Sequence, residues 1–299
     1  MAVFAGLIVL AGVLPVHSCA ATIKVTLVLS EQGGAYQEFK NALESRLSGK
    51  DISVGVIEAD KPLPDSDLVI AAGMKASLIV AQAKPSAMLT VLVPKEGVVK
   101  LMHDFPALVK SGPNVFSAIY LDQPLKRQLD LIMAVLPQTR SVGILYSAPP
   151  KELNTLRSLA ATRKLELNER SSTTFATLHA SLQSLLLSSD VLLALPDSEI
   201  YNTMTIRNIL LATYRNKVPL IGFSAAYVKA GALCAVFSTP EQLAEQSLNI
   251  ILEFIVTGTL PAPQYAKEFE VSVNEQVARS LELNIKSATR VRSEIGVAP

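Results

Sequence analysis

Between Asp190 and Phe237 two short apolar runs, each stopped by a small polar loop, flank a segment with helical periodicity. Val191 to Leu195 stops at Pro196-Asp197-Ser198-Glu199, and Val218 to Phe223 stops at Ser224-Ala225-Ala226-Tyr227. In the intervening segment Met204, Ile206, Ile209, Leu210 and Tyr214 fall near one face, the spacing of an amphipathic helix. This is a βαβ pattern. In an open parallel sheet the loops at the carboxyl ends of the strands face the ligand crevice, so chemistry is expected in these two loops.

The same alternation runs through most of the chain. Ile23 to Leu29 reads as a strand, Ser30-Glu31-Gln32-Gly33-Gly34 as a loop, and Tyr36, Phe39, Leu43 and Leu47 as one helix face. Ile52 to Ile57, Asp67 to Ala72 and Met88 to Val93 read as further strands, with a helix over Ala76 to Ala83. The stretch from Lys95 to Pro113 is less regular, and Val115 to Tyr120 is expected to start the crossing into a second lobe. A second set follows: a helix around Leu125, Leu129, Ile132 and Met133, a strand over Ser141 to Tyr146, and a helix over Leu153 to Thr162. Pro240 to Val256 reads as a long helix with Gly258 as its stop, Thr259 to Tyr265 as extended chain, and Phe269 to Val273 as a last strand.

Strands alternating with helices at short intervals, the strands continuously apolar, indicate parallel sheets covered on both faces. The expected fold class is α/β, with two doubly wound parallel-sheet lobes. The chain's 299 residues, 49% hydrophobic, are enough for two such cores. The expected division is a signal peptide over 1–20, a first lobe over 21–117 plus 237–264, and a second lobe over 118–236 plus 265–299.

Ala2 to Val16 is apolar, no charge precedes Lys24, and Ser18-Cys19-Ala20 offers small residues for a cut. This pattern resembles an export signal, although a positively charged n-region is missing. The apolar run is shorter than the roughly 20 residues of a spanning helix. Val16-His17-Ser18-Cys19 also resembles a weak lipobox, which leaves lipidation at Cys19 open beside simple cleavage. In either case Cys234 is the one cysteine left for the mature chain, read as a small buried hydrophobe because no His or basic residue lies near it. The expected location is periplasmic.

A net charge of +1 with no Lys/Arg block argues against a nucleic-acid partner. His17, His103 and His179 are not at ligand spacing from another His, Cys or carboxylate, so neither a metal nor a cofactor is expected. No G-x-S-x-G elbow, Walker loop or G-x-G-x-x-G follows a strand, which removes the usual nucleophile and phosphate geometries; no catalytic residue is assigned and the chain is read as a non-enzyme.

What remains is a set of strand-end loops: Ser30 with Gly33, Gly73 with Ser77, Tyr146 with Ser147, Asp197 with Ser198, and Ser224 with Tyr227. The expected ligand-binding residues are Ser30, Gly73, Ser77, Tyr146, Asp197, Ser224 and Tyr227. Helix starts after Gly34 and Gly73 favour an anionic group, Asp197 is suited to an amine, and Tyr146 or Tyr227 to covering an apolar part. Each has a structural alternative: Ser30, Asp197 and Ser224 as helix caps, the tyrosines as packing.

These residues lie in segments that resemble a known family. Phe116 to Pro137, Ser141 to Ser147, Leu195 to Ile200, Val218 to Ala232 and Val271 to Leu283 are similar in order and spacing to the ABC-transporter substrate-binding proteins of the uncharacterised, tryptophan/tyrosine-type periplasmic family. The resemblance covers nearly all of the chain after the signal. It implies a type I periplasmic-binding fold, two lobes closing on an amino acid or related small organic solute, delivery to an inner-membrane ABC permease, and a monomeric protein. Asp197 and Tyr146 stand at matching positions. Met74 replaces a Thr of the family's first-lobe loop, Val93-Pro94-Lys95-Glu96 lacks the family's D-P-V, and Ser224 stands where an acidic residue is common. The last two changes imply a more acidic ligand, or no conventional ligand. A periplasmic sensor or interaction module not coupled to transport is the alternative function.

Overall fold

The computed structural model describes residues 23–50, 52–110 and 115–296; the expected signal and Cys19 lie outside them. The chain opens with β1 (Ile23–Leu29), α1 (Gly34–Leu47), β2 (Ile52–Glu58), β3 (Leu68–Ala72), α2 (Met74–Ala83), β4 (Met88–Val93), α3 (Lys95–Asp104), α4 (Ala107–Lys110) and β5 (Phe116–Tyr120). It then crosses through 121–124 into α5 (Leu125–Val135), β6 (Ser141–Tyr146), α6 (Leu153–Thr162), β7 (Glu166–Ser171), α7 (Phe175–Leu186), β8 (Val191–Leu193), α8 (Ile206–Arg215), β9 (Leu220–Gly222), α9 (Ala225–Ala230) and β10 (Cys234–Phe237). A second crossing at 238–239 leads back to α10 (Pro240–Thr257) and β11 (Gln264–Tyr265); a third, 266–269, leads to β12 (Glu270–Val273), α11 (Glu275–Ser280) and α12 (Ala288–Gly296).

Two six-stranded sheets result, in the orders β2-β1-β3-β4-β5-β11 and β7-β6-β8-β9-β10-β12. Every described pairing is parallel except β10 with β12. Adjacent strand residues serve opposite faces, as strand geometry requires. Leu27 packs toward α1 and α10 while Val28 packs toward α2 and α3. Ile144 and Leu145 divide the second core in the same way.

Three expectations change here. Val115–Tyr120 does not cross: residues 116–120 are β5, buried inside the first sheet. The expected boundaries at 117/118, 236/237 and 264/265 therefore fall inside β5, β10 and β11, and the chain changes lobe a few residues later each time. An apolar strand and the linker after it form one run in sequence, so the boundary is not marked by composition. The irregular stretch from Lys95 is helical at once, as α3. Finally, Met204 and Tyr214 are exposed, at 82% and 53%, whereas Ile209 of the same expected face is buried in α8 together with Ala212 and Thr213.

The strand β4 ends irregularly. Leu92 has φ 57, and the β4–β5 register shifts between Thr90 and Val93. Such a bulge bends the strand end, and Pro94-Lys95 follows it directly as the start of α3.

Candidate functional site

The cavity between the lobes is built from the start of α3 on one side and the loops after β6 and β8 on the other. Leu125, Leu153, Leu156 and Leu195 give it an apolar floor; Lys95, Asp122, Tyr146, Glu152 and Asp197 supply its polar groups. Its free space is about 110 Å³, less than the ~150 Å³ of an apolar cavity that admits benzene. In this conformation the cleft is largely filled by its own side chains.

The filling is an ion pair across the lobes. Lys95 Nζ, from the first lobe, donates to Glu152 Oε1 of the second at 2.6 Å and to the Tyr265 hydroxyl at 3.3 Å. Tyr265 in turn donates to Glu152 Oε2 at 3.3 Å. Partial burial acts to lower the Lys95 pKa, but the hydrogen bonds and charges of Glu152 and Tyr265 outweigh it and push it up to about 12. Lys95 therefore stays charged through neutral pH. Burial likewise pushes Tyr265 up to about 12.

Asp122 is the second acidic group here. Its Oδ1 accepts the Lys95 backbone N–H at 2.6 Å, capping α3, whose own N-cap residue Pro94 has no side chain for the task. Burial raises the Asp122 pKa, only partly opposed by that hydrogen bond.

The expected site residues separate into three places. Tyr146 and Asp197 line the cavity. The Tyr146 hydroxyl donates to Glu169 Oε2 at 3.2 Å, and Arg157 grips the same carboxylate at 2.7 and 2.8 Å. Burial, then the Glu169 charge, raises the Tyr146 pKa. Asp197 is fully engaged by the protein: Oδ2 accepts from the Ser147 N–H and hydroxyl, Oδ1 from the N–H groups of Glu199 and Ile200.

Ser30, Gly73 and Ser77 form a separate, buried cluster at the ends of β1 and β3. Ser30 Oγ accepts the Ala76 N–H at 2.9 Å, and Ser77 Oγ donates to the Gly73 carbonyl at 2.8 Å. Gly73 adopts φ 90, and a Cβ there would lie 2.5 Å from Ser30 Oγ and 2.7 Å from the Tyr36 ring. Ser224 and Tyr227 lie at the end of β9: Ser224 caps α9 by accepting the Tyr227 N–H, and the Tyr227 hydroxyl donates to the Tyr201 carbonyl at 3.0 Å. None of these five lines the cavity.

The structure adds Lys95, Asp122, Glu152 and Tyr265, which strand-end reasoning did not select. Glu152 lies in the loop after β6, a few residues beyond the Tyr146-Ser147 strand end. In sequence Lys95 stands out only as a departure from the family pattern, one that implies a more acidic ligand. In this conformation Glu152 pairs with that lysine. Tyr265 has no local signal; its pairing with Tyr120 across β11 and β5 holds it where its hydroxyl meets Lys95 and Glu152, beside the cavity lining.

Comparison with known proteins bears on this arrangement. Residues 64–294 match the model of a family described as ABC transporter substrate binding protein. Among solved structures, a conserved domain protein from Vibrio cholerae matches with TM-score 0.64 and 19% identity, covering 91% of this chain and 98% of that one. The ligand-free, open form of a substrate-binding protein with adhesive properties from Clostridium difficile matches with TM-score 0.70 and 16% identity, covering 89% and 96%. An ABC domain in complex with L-Trp from Streptococcus pneumoniae matches with TM-score 0.64 and 13% identity, covering 92% and 98%. Among curated proteins, none matches. At these identities the structures establish the shared two-lobed α/β fold.

Proposed function

Since the chain belongs to the ABC transporter substrate-binding protein family, whose members bind small molecules and work with ABC permeases, we propose that it captures an amino acid or related small organic solute between its lobes after export. The observation that carries this reading is the pairing of Lys95 from one lobe with Glu152 from the other inside the cleft. A zwitterion presents both charges at once, and the leucine floor suits an apolar side chain. The L-Trp held by the Streptococcus pneumoniae neighbour supports placing amino acids first among candidates.

Closure about the three crossings is the proposed mechanism. Ligand contacts from both lobes favour the closed form over the open one, and the permease receives the loaded form. The crossings are tied together. Gln123 donates to Ser238 Oγ at 2.9 Å, and Ser238 donates to the Glu268 carbonyl at 2.6 Å. One link thus joins all three segments at the hinge, where a small rotation moves both lobes.

Thermal unfolding with a panel of amino acids, amines, organic acids and sugars tests the reading. A solute at 100 times its Kd adds about 2.7 kcal/mol, which raises Tm by several degrees in a protein of this size. Stabilisation by amino acids is expected. No shift with any solute at millimolar concentration overturns solute capture, and a shift confined to sugars overturns the amino-acid assignment.

A further inference from the structure

The surroundings of the Lys95 ammonium are those of a ligand rather than of a surface lysine. Beyond its bonds to Glu152 and Tyr265, Nζ lies 5.8 Å from the Tyr120 ring centroid and 5.1 Å from that of Tyr265, the latter contact being made mainly at the hydroxyl. The two rings meet edge to face, 5.0 Å apart at 75°. A carboxylate, a hydroxyl and a corner of two aromatic rings therefore converge on one nitrogen. This combination of charge-assisted hydrogen bonds and aromatic rings recognises organic ammonium groups.

The position of Lys95 in its own helix does not explain where its side chain goes. It is the first residue of α3, where the helix dipole disfavours a cation. Its side chain remains 28% exposed, and a four-carbon stem with free rotors can leave the cleft while the backbone N–H stays on Asp122. The cage holds the lysine; α3 does not require it there.

We propose that Tyr120, Tyr265 and Glu152 form an ammonium-binding cage in which Lys95 is a built-in occupant, displaced by the ammonium of an incoming solute. The lysine competes with every amine that enters. A solute that also carries a carboxylate compensates the displaced lysine by pairing with it, whereas a simple amine leaves it without a partner in the cleft. The ligand class is thereby narrowed to organic ammonium compounds, with zwitterions favoured over plain amines. The physiological part of this inference rests on the solute-capture reading; the cage itself does not.

Calorimetric titration of the full-length chain tests it, with tryptamine as the plain amine and L-tryptophan as the zwitterion. Lys95→Met should bind tryptamine at least about tenfold more tightly than the unmodified protein, since the cage is vacated. That gain should vanish when Tyr265→Leu or Glu152→Gln is added. The tryptamine-to-tryptophan preference should shift toward the amine in Lys95→Met. Lys95→Gln serves as a second variant if the methionine protein does not fold, and circular dichroism confirms the fold of each.

Equal tryptamine affinity with and without Lys95, or no tryptamine binding by either lysine variant, overturns the built-in occupant. So does a gain that survives Tyr265→Leu and Glu152→Gln. These outcomes are separable from failure of solute capture. If lysine variants gain tryptamine through the cage while no panel solute stabilises the unmodified protein, the cage stands and capture falls; if panel solutes stabilise it but no gain appears, the reverse holds.

Discussion

Asp197 Oδ2 takes both donors that Ser147 offers, the backbone N–H at 2.7 Å and the hydroxyl at 2.9 Å. The contact fastens the loop after β6 to the loop after β8, while Oδ1 organises the turn at Glu199 and Ile200. The carboxylate is thus placed to hold the cleft wall in shape. Asp197→Ala should lower stability by about 1–3 kcal/mol, the cost of stranding charge-assisted partners, as read by urea unfolding. A tenfold loss of solute affinity with stability unchanged would show instead that Asp197 touches the ligand.

Gly73 and Gly33 provide a matched pair. Both precede helices in extended backbone with positive φ, 90 and 85 respectively. A Cβ on Gly33 meets nothing within 4 Å, whereas one on Gly73 collides with Ser30 and Tyr36. Gly33→Ala should cost about 1–2 kcal/mol from backbone strain alone. Gly73→Ala should cost at least ~1 kcal/mol more, because the neighbours must also move. Equal unfolding midpoints for the two variants would refute the crowding account.

Ser238 is expected to control the hinge. Removing its hydroxyl leaves the buried Gln123 amide and the Glu268 carbonyl without this partner. Ser238→Ala should therefore destabilise the chain by about 1–3 kcal/mol and widen the ligand-free distribution of lobe separations in small-angle scattering. A distribution identical to that of the unmodified protein would remove Ser238 from the hinge.

Glu169 gives a pH dependence with a defined sign. The Arg157 guanidinium, opposed by some desolvation and helped by Tyr146, holds its pKa below the ordinary 4.5. A depressed carboxylate contributes stability that is fully present above its unfolded pKa and is lost as pH falls through the lower folded one. The stability difference between the unmodified protein and Arg157→Ala should hence be constant at neutral pH and shrink below about pH 4.5. A difference that grows on acidification contradicts the assignment.

Legibility from sequence followed the range of the interactions concerned. Buried parallel strands such as Leu68–Ala72 and Met88–Val93 are apolar throughout, so local pattern suffices. The edge strand β7 has no fully buried residue and reads ELNERS, so it carries no comparable mark. The α10 stop at Gly258 was legible because φ 68 is glycine's region. The five strand-end residues that do not line this cavity were legible as loop residues, but their partners, such as Ala76 for Ser30 and Tyr201 for Tyr227, are set by packing.

The sequence by itself determined the α/β alternation, the two cores and the strand ends at which polar groups collect, because helix and strand periodicity are properties of neighbouring residues. Only the tertiary structure decided that residues 95, 152 and 265 share one ion-paired cluster. They come from different lobes and elements, and their meeting depends on a bulge at the end of β4, a second crossing that returns the chain to the first sheet as β11, and the angle between lobes. Long-range placement of charge has no local period, so it is not recorded in the spacing of residues along the chain.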